Sequence, residues 1–201
     1  MTHPLRPAII IALLVVFLGK SPTQALQAED FQGLVYYQDP TTRGMAISGP
    51  DIFLGLPENS RYQGGWLLET PGNDVFAPSS LGAAMFRINQ DNFLFFDVIA
   101  NFEDGRAYNR ILDTIQIPDN VTLLKCLNSP DPNAEAIAFL TATETDLVNA
   151  QGPNLMDGIF AEIVNPQNLY LLHSRRLRIE KASGINFTCT GFPLGYIDGT
   201  F

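Results

Sequence analysis

The chain has 201 residues, 12 of them Lys or Arg and 21 Asp or Glu, for a formal net charge of −9. A surface that acidic repels nucleic acid and anionic lipid, so a nucleic-acid partner is the first to be excluded. The two cysteines, Cys126 and Cys189, lack the close spacing of a redox or zinc centre, and with two histidines the chain leaves little for metal binding or for acid-base chemistry at neutral pH.

At the N-terminus Arg6 precedes an unbroken apolar run from Ala8 to Leu18, and Thr23-Gln24-Ala25 follows. This layout predicts a signal peptide over 1–25, because eleven apolar residues are too few to span a bilayer. Its removal takes two of the 12 basic residues and none of the 21 acidic ones, leaving a net charge of −11. The remainder, 26–201, suits a single exported β-rich domain, secreted or periplasmic, with no membrane span. For such a protein Cys126 and Cys189 most simply form one disulfide.

Along the chain, Gly and Pro punctuate short apolar runs every 8 to 12 residues or so, the rhythm of an antiparallel β-sandwich or barrel. Strands are predicted over 33–37, 45–48, 51–56, 65–69, 83–88 and 93–102. Six more follow over 111–117, 121–127, 136–141, 159–164, 169–179 and 185–189. One short helix is expected over 144–150, with Thr143 as N-cap and Gly152-Pro153 as its stop. A hairpin around Asn89-Gln90-Asp91-Asn92 is expected to set Ile88 opposite Phe93, Phe86 opposite Phe95 and Met85 opposite Phe96. The run Phe93-Leu94-Phe95-Phe96 does not alternate, so its strand belongs in a sheet covered on both faces.

Catalytic signatures are sparse. No G-x-S-x-G elbow and no phosphate loop occur, and after signal cleavage a triad would have to use His173. Asp97, Glu103 and Asp104 form the best local set of carboxylates, with Asp104-Gly105 read as a solvated turn. Asp131-Pro132-Asn133-Ala134-Glu135 begins like a calcium loop but lacks its later Gly and Glu, so no metal and no cofactor is expected. Gly64-Gly65-Trp66 has G-x-W spacing and resembles the first-strand motif of lipocalins, small exported barrels that hold apolar ligands. The resemblance covers those three residues, and the first reading of Trp66 is a core or rim aromatic.

The segment LLHSRRLRIEK, 171–181, is the one basic island. As a regular strand it sends Ser174, Arg176, Arg178 and Glu180 to water and Leu171, His173, Arg175 and Leu177 to the other face. A hairpin at Asn165-Pro166-Gln167-Asn168 is expected to bring Glu162 beside His173 and Arg175, unless a bulge turns that pair toward water. Candidate ligand-binding residues are therefore His173, Arg175 and Glu162, together with Trp66, Phe86 and Phe95. The leading expectation is a non-catalytic exported β-domain that binds a protein partner or has a structural role. The alternatives are a barrel for a small apolar ligand, distinguished by a pocket lined by Trp66, Phe86 and Phe95, and a hydrolase using His173.

Overall fold

The computed structural model describes residues 26–38, 53–68, 79–149 and 161–197, with side chains to 191. The expected signal peptide, the strand at 45–48 and the helix stop at Gly152-Pro153 lie outside these residues. The fold is mainly β and antiparallel. After a 3-10 turn at Ala28–Phe31 come β1 (Val35–Gln38), β2 (Phe53–Leu54), β3 (Ser60–Leu67), β4 (Leu81–Ile88), β5 (Asp91–Glu103) and β6 (Arg106–Ile117). These form one sheet in the order β2-β1-β6-β5-β4-β3. The second sheet takes β7 (Val121–Cys126), β8 (Ala134–Leu140), β9 (Ala161–Val164), β10 (Leu169–His173), β11 (Arg178–Ala182) and β12 (Thr188–Ile197). Its order is β11-β10-β8-β7-β12-β9, and the helix α1 (Ala142–Asn149) lies between β8 and β9 in the chain.

The doubly apolar hairpin explains how the layers stack. Every residue of β4 is buried, and β5 is buried from Asn92 to Asp97. Leu94 and Phe96 join Leu123, Ile137, Phe139 and Leu172 in the layer between the sheets. Phe93 and Phe95 point the other way and pack with Phe31, Tyr36, Phe86 and Ile111. That second face is covered because the first sheet curls into a half-barrel. Phe53 on one edge strand reaches within 5.3 Å of Tyr62 on the opposite one, ring to ring.

The register differs from expectation by two residues. Ile88 pairs with Asp91, Phe86 with Phe93 and Ala84 with Phe95, so the turn is Asn89-Gln90 alone. Asn89 takes a positive φ of 59°, which Asn tolerates better than most residues, and this permits the tighter turn. A shift of two keeps every side chain on its expected face.

The expected strand over 169–179 is instead a hairpin. Leu172 pairs with Ile179 and His173 with Arg178, and Leu177 closes the turn with φ 53° and a backbone bond to the His173 carbonyl at 2.8 Å. The Asn165-to-Asn168 segment is a crossover, not a hairpin: β9 pairs with β12, whereas β10 pairs with β8 and β11. Three strands separate β9 from β10 in the sheet, and Ile163 and Leu169 nevertheless share one core cluster. The helix starts earlier than expected, and its cap is Thr141, not Thr143. Thr141 Oγ1 accepts from the Glu144 N–H at 3.4 Å while Glu144 Oε2 accepts from the Thr141 N–H at 2.9 Å, a reciprocal capping box. Cys126 and Cys189 form a disulfide between β7 and β12, closing a separation of 63 residues. That closure contributes roughly 4 kcal/mol in the chain-entropy account.

Candidate functional site: a carboxylate in an aromatic half-barrel

Asp97 continues the face of β5 that Phe93 and Phe95 begin, so alternation carries a carboxylate into the half-barrel. It is only 5% exposed. Its cross-strand partner is Gly82, whose other neighbour is Leu67. A Cβ on Gly82 would stand 2.7 Å from Asp97 Oδ1, so only glycine leaves the carboxylate its present place. One row along, Gly65 pairs with Ala84 and Ala84 with Phe95. A Cβ on Gly65 would press on the Tyr62 hydroxyl at 2.8 Å and the Ala83 carbonyl at 2.6 Å.

These small side chains leave a cavity of about 450 Å³ in front of an aromatic wall. Tyr36, Phe53, Tyr62 and Leu67 line it, with Gly82, Ala84, Asp97 and Ile99 at the buried end. Phe102, Arg106 and Asn109 line the more exposed end. The volume is within the range of small-molecule sites, and a mostly apolar lining with one or two convergent polar groups is their usual chemistry.

The Tyr36 hydroxyl donates a short hydrogen bond to Asp97 Oδ2. Burial raises the carboxyl pKa from 3.8 to about 6, against the opposing effect of that hydrogen bond. Burial, reinforced by the neighbouring Asp97 charge, pushes the Tyr36 phenol well above its ordinary value, so it stays protonated as the donor. Among the described residues Asp97 has no ion-pair partner. Arg106, half-buried at the cavity's outer end, lies 6.0 Å above the Tyr37 ring, and its Nε has no hydrogen-bond partner.

No family model, curated protein or solved structure matches the chain. Function therefore has to be argued from the chemistry of the cavity itself.

Of the residues singled out in the sequence, Trp66 borders this cavity, but it pairs with Ala83 and its ring faces the second sheet, not the half-barrel. Its indole N–H donates to Glu135 Oε2 of β8 at 3.2 Å, and Lys125 Nζ lies 5.8 Å from its ring. Phe86 and Phe95 do not line the cavity. They are fully buried and stacked at 5.1 Å, and Phe86 also touches the rings of Tyr36, Phe53 and Tyr62. Their role is to back the wall with solid packing.

The expected grouping of His173, Arg175 and Glu162 does not form. Arg175 is exposed in the hairpin turn, and Glu162 lies on the far edge strand within 3.5 Å of Thr190 Oγ1. His173 is 2% exposed and sits between two other carboxylates. Its Nε2 is 3.0 Å from Glu180 Oε2, off the line of a good hydrogen bond, and its Nδ1 is 3.5 Å from Asp131 Oδ2. Hydrogen bonding from the Asn133 backbone N–H holds Asp131 below its ordinary pKa. Glu180 is partly desolvated, which works against its charge, but Arg176 and Arg178 more than offset this and lower its pKa. Among the described residues no hydroxyl or thiol is hydrogen-bonded to His173. The cluster pins a hairpin to the Asp131 loop and presents no nucleophile.

Sequence reasoning passed over Tyr36, Gly82, Arg106 and the burial of Asp97. One signal was available: in Phe93-Leu94-Phe95-Phe96-Asp97-Val98-Ile99 the carboxylate interrupts a run that is buried on both faces, where an unpaired charge is rare.

Proposed function

We propose that this chain is an exported, non-catalytic binding domain that holds a small, largely apolar ligand in the half-barrel of its first sheet. The cavity carries the proposal: about 450 Å³ lined by Tyr36, Phe53 and Tyr62 and kept open by Gly65, Gly82 and Ala84. A signal-peptide-like N-terminus and the Cys126–Cys189 disulfide support an oxidising compartment outside the cytosol.

Trp66 is the only tryptophan in the chain and its strand borders the cavity, so energy transfer from it to the neutral probe N-phenyl-1-naphthylamine reports occupancy. Saturable transfer at one site is expected. An Ala84→Leu chain with unchanged circular dichroism should bind the probe at least about tenfold more weakly. Absence of saturable transfer in the native chain would overturn the proposal.

A further inference from the structure

A largely apolar pocket needs no carboxylate, and Asp97 is a poor choice for stability. Burying a carboxylate without a cation is unfavourable, and the Tyr36 hydroxyl is a neutral donor that only partly compensates. The local packing also favours the carboxylate over any larger arrangement around it: Gly82 has no side chain to cover Oδ1, and an added Cβ there would displace it. The result is an acceptor at the closed end of a chamber whose walls are aromatic.

Resting on the reading of this cavity as a ligand site, we propose that its ligand is an organic cation, an aromatic or aliphatic ammonium whose charged nitrogen sits on Asp97 and whose apolar body lies among Tyr36, Phe53 and Tyr62. Two properties of the site act in the same direction. An ammonium donates the charge-assisted hydrogen bond that the carboxylate lacks. The electron-rich ring faces attract cations that enter without their water.

The competing charge in the cavity is Arg106, which would favour an anion. It stands at the wetter end and already lies over the Tyr37 ring. Solvent there weakens its field, whereas Asp97 acts in a site of lower effective dielectric. The buried acid therefore decides the sign of the ligand.

Three probes that share one ring system separate the possibilities: 1-naphthylmethylamine, 1-naphthalenemethanol and 1-naphthaleneacetate, each titrated calorimetrically at pH 7.5 into the full domain. The ammonium should bind at least about tenfold tighter than the alcohol, and the acetate weakest. In Asp97→Asn the ammonium should fall to the level of the alcohol, whose own affinity stays within about threefold. If Asp97→Asn does not fold, the carboxyl ¹³C resonance of Asp97 in the native protein decides instead: saturating ammonium should shift its titration toward lower pH. Equal binding of ammonium and alcohol, tighter binding of the acetate, or a preference that survives Asp97→Asn would overturn the cation assignment while leaving a ligand pocket in place. Failure of all three probes would remove both.

Discussion

Asp97 is the residue where fold and proposed function pull apart. Its carboxyl is shifted from 3.8 to about 6 by burial, with the Tyr36 hydrogen bond acting in the opposite direction. The folded chain thus binds the proton more tightly than the unfolded one. The contribution of Asp97 is most favourable at a pH below 3.8, where both states are protonated, and declines as pH rises through the window up to about 6. Above that window the ionised carboxylate destabilises the fold by on the order of 3 kcal/mol. Asparagine keeps an oxygen for the Tyr36 hydroxyl and removes the charge. Asp97→Asn should therefore unfold at a higher urea midpoint than the native chain at pH 7.5, and the difference should close by about pH 4. A variant less stable than the native chain at both pH values would show that Asp97 is structural. Its burial was hidden in the sequence because Glu103, Asp104 and Gly105 follow within eight residues and read as a solvated turn. Those two acids are indeed exposed at the end of β5 and in the turn after it, while Asp97 closes the strand's unbroken buried stretch.

At the scale of elements, most strands were legible because two-sided burial leaves continuous apolar runs and turns carry Asn, Pro and Gly. Pairing was less so. Nothing in Asn165-Pro166-Gln167-Asn168 distinguishes a hairpin from a crossover; the tie is tertiary, with Asn165 Oδ1 accepting from the Phe187 N–H at 2.8 Å. The hairpin inside LLHSRRLRIEK was invisible for a related reason. Its turn contains neither Gly nor Pro and uses Leu177 in a conformation that branched or bulky residues rarely adopt. The basic island is consequently a turn with Arg175 and Arg176 in solvent, with Arg176 and Arg178 both paired to Glu180. The helix cap carries its own test. Thr141 donates to Glu144 Oε2 at 2.9 Å, and Glu144 Oε1 accepts from the Gln167 N–H at 2.9 Å, so the cap also anchors the loop before β10. Thr141→Ala should lower the unfolding free energy by about 1 kcal/mol, read from urea denaturation with an unchanged slope. A shift of only a tenth or two would mean that the box is not formed.

For the whole molecule, the two sheets divide the labour. The second is packed on both faces, by the shared layer on one side and by Leu124, Ala138, Leu140, Val148 and Leu169 on the other, and it is tied by the disulfide. The first shares that layer but curls away from it, leaving a chamber between an aromatic wall and a strip of small residues. The proposed ligand role needs a pocket held in shape before the ligand arrives, and the packed second sheet is the element that can support it. The expected apolar-ligand barrel and the expected partner-binding domain are both compatible with this fold, and occupancy of the chamber separates them. The most direct measurement is to titrate N-phenyl-1-naphthylamine into the labelled domain and record nuclear Overhauser contacts from the probe. Contacts to the Ala84 and Ile99 methyl groups and to the Phe53 and Tyr62 rings are predicted at saturation; a probe that never saturates, or that contacts only residues outside the half-barrel, would contradict a ligand-binding role.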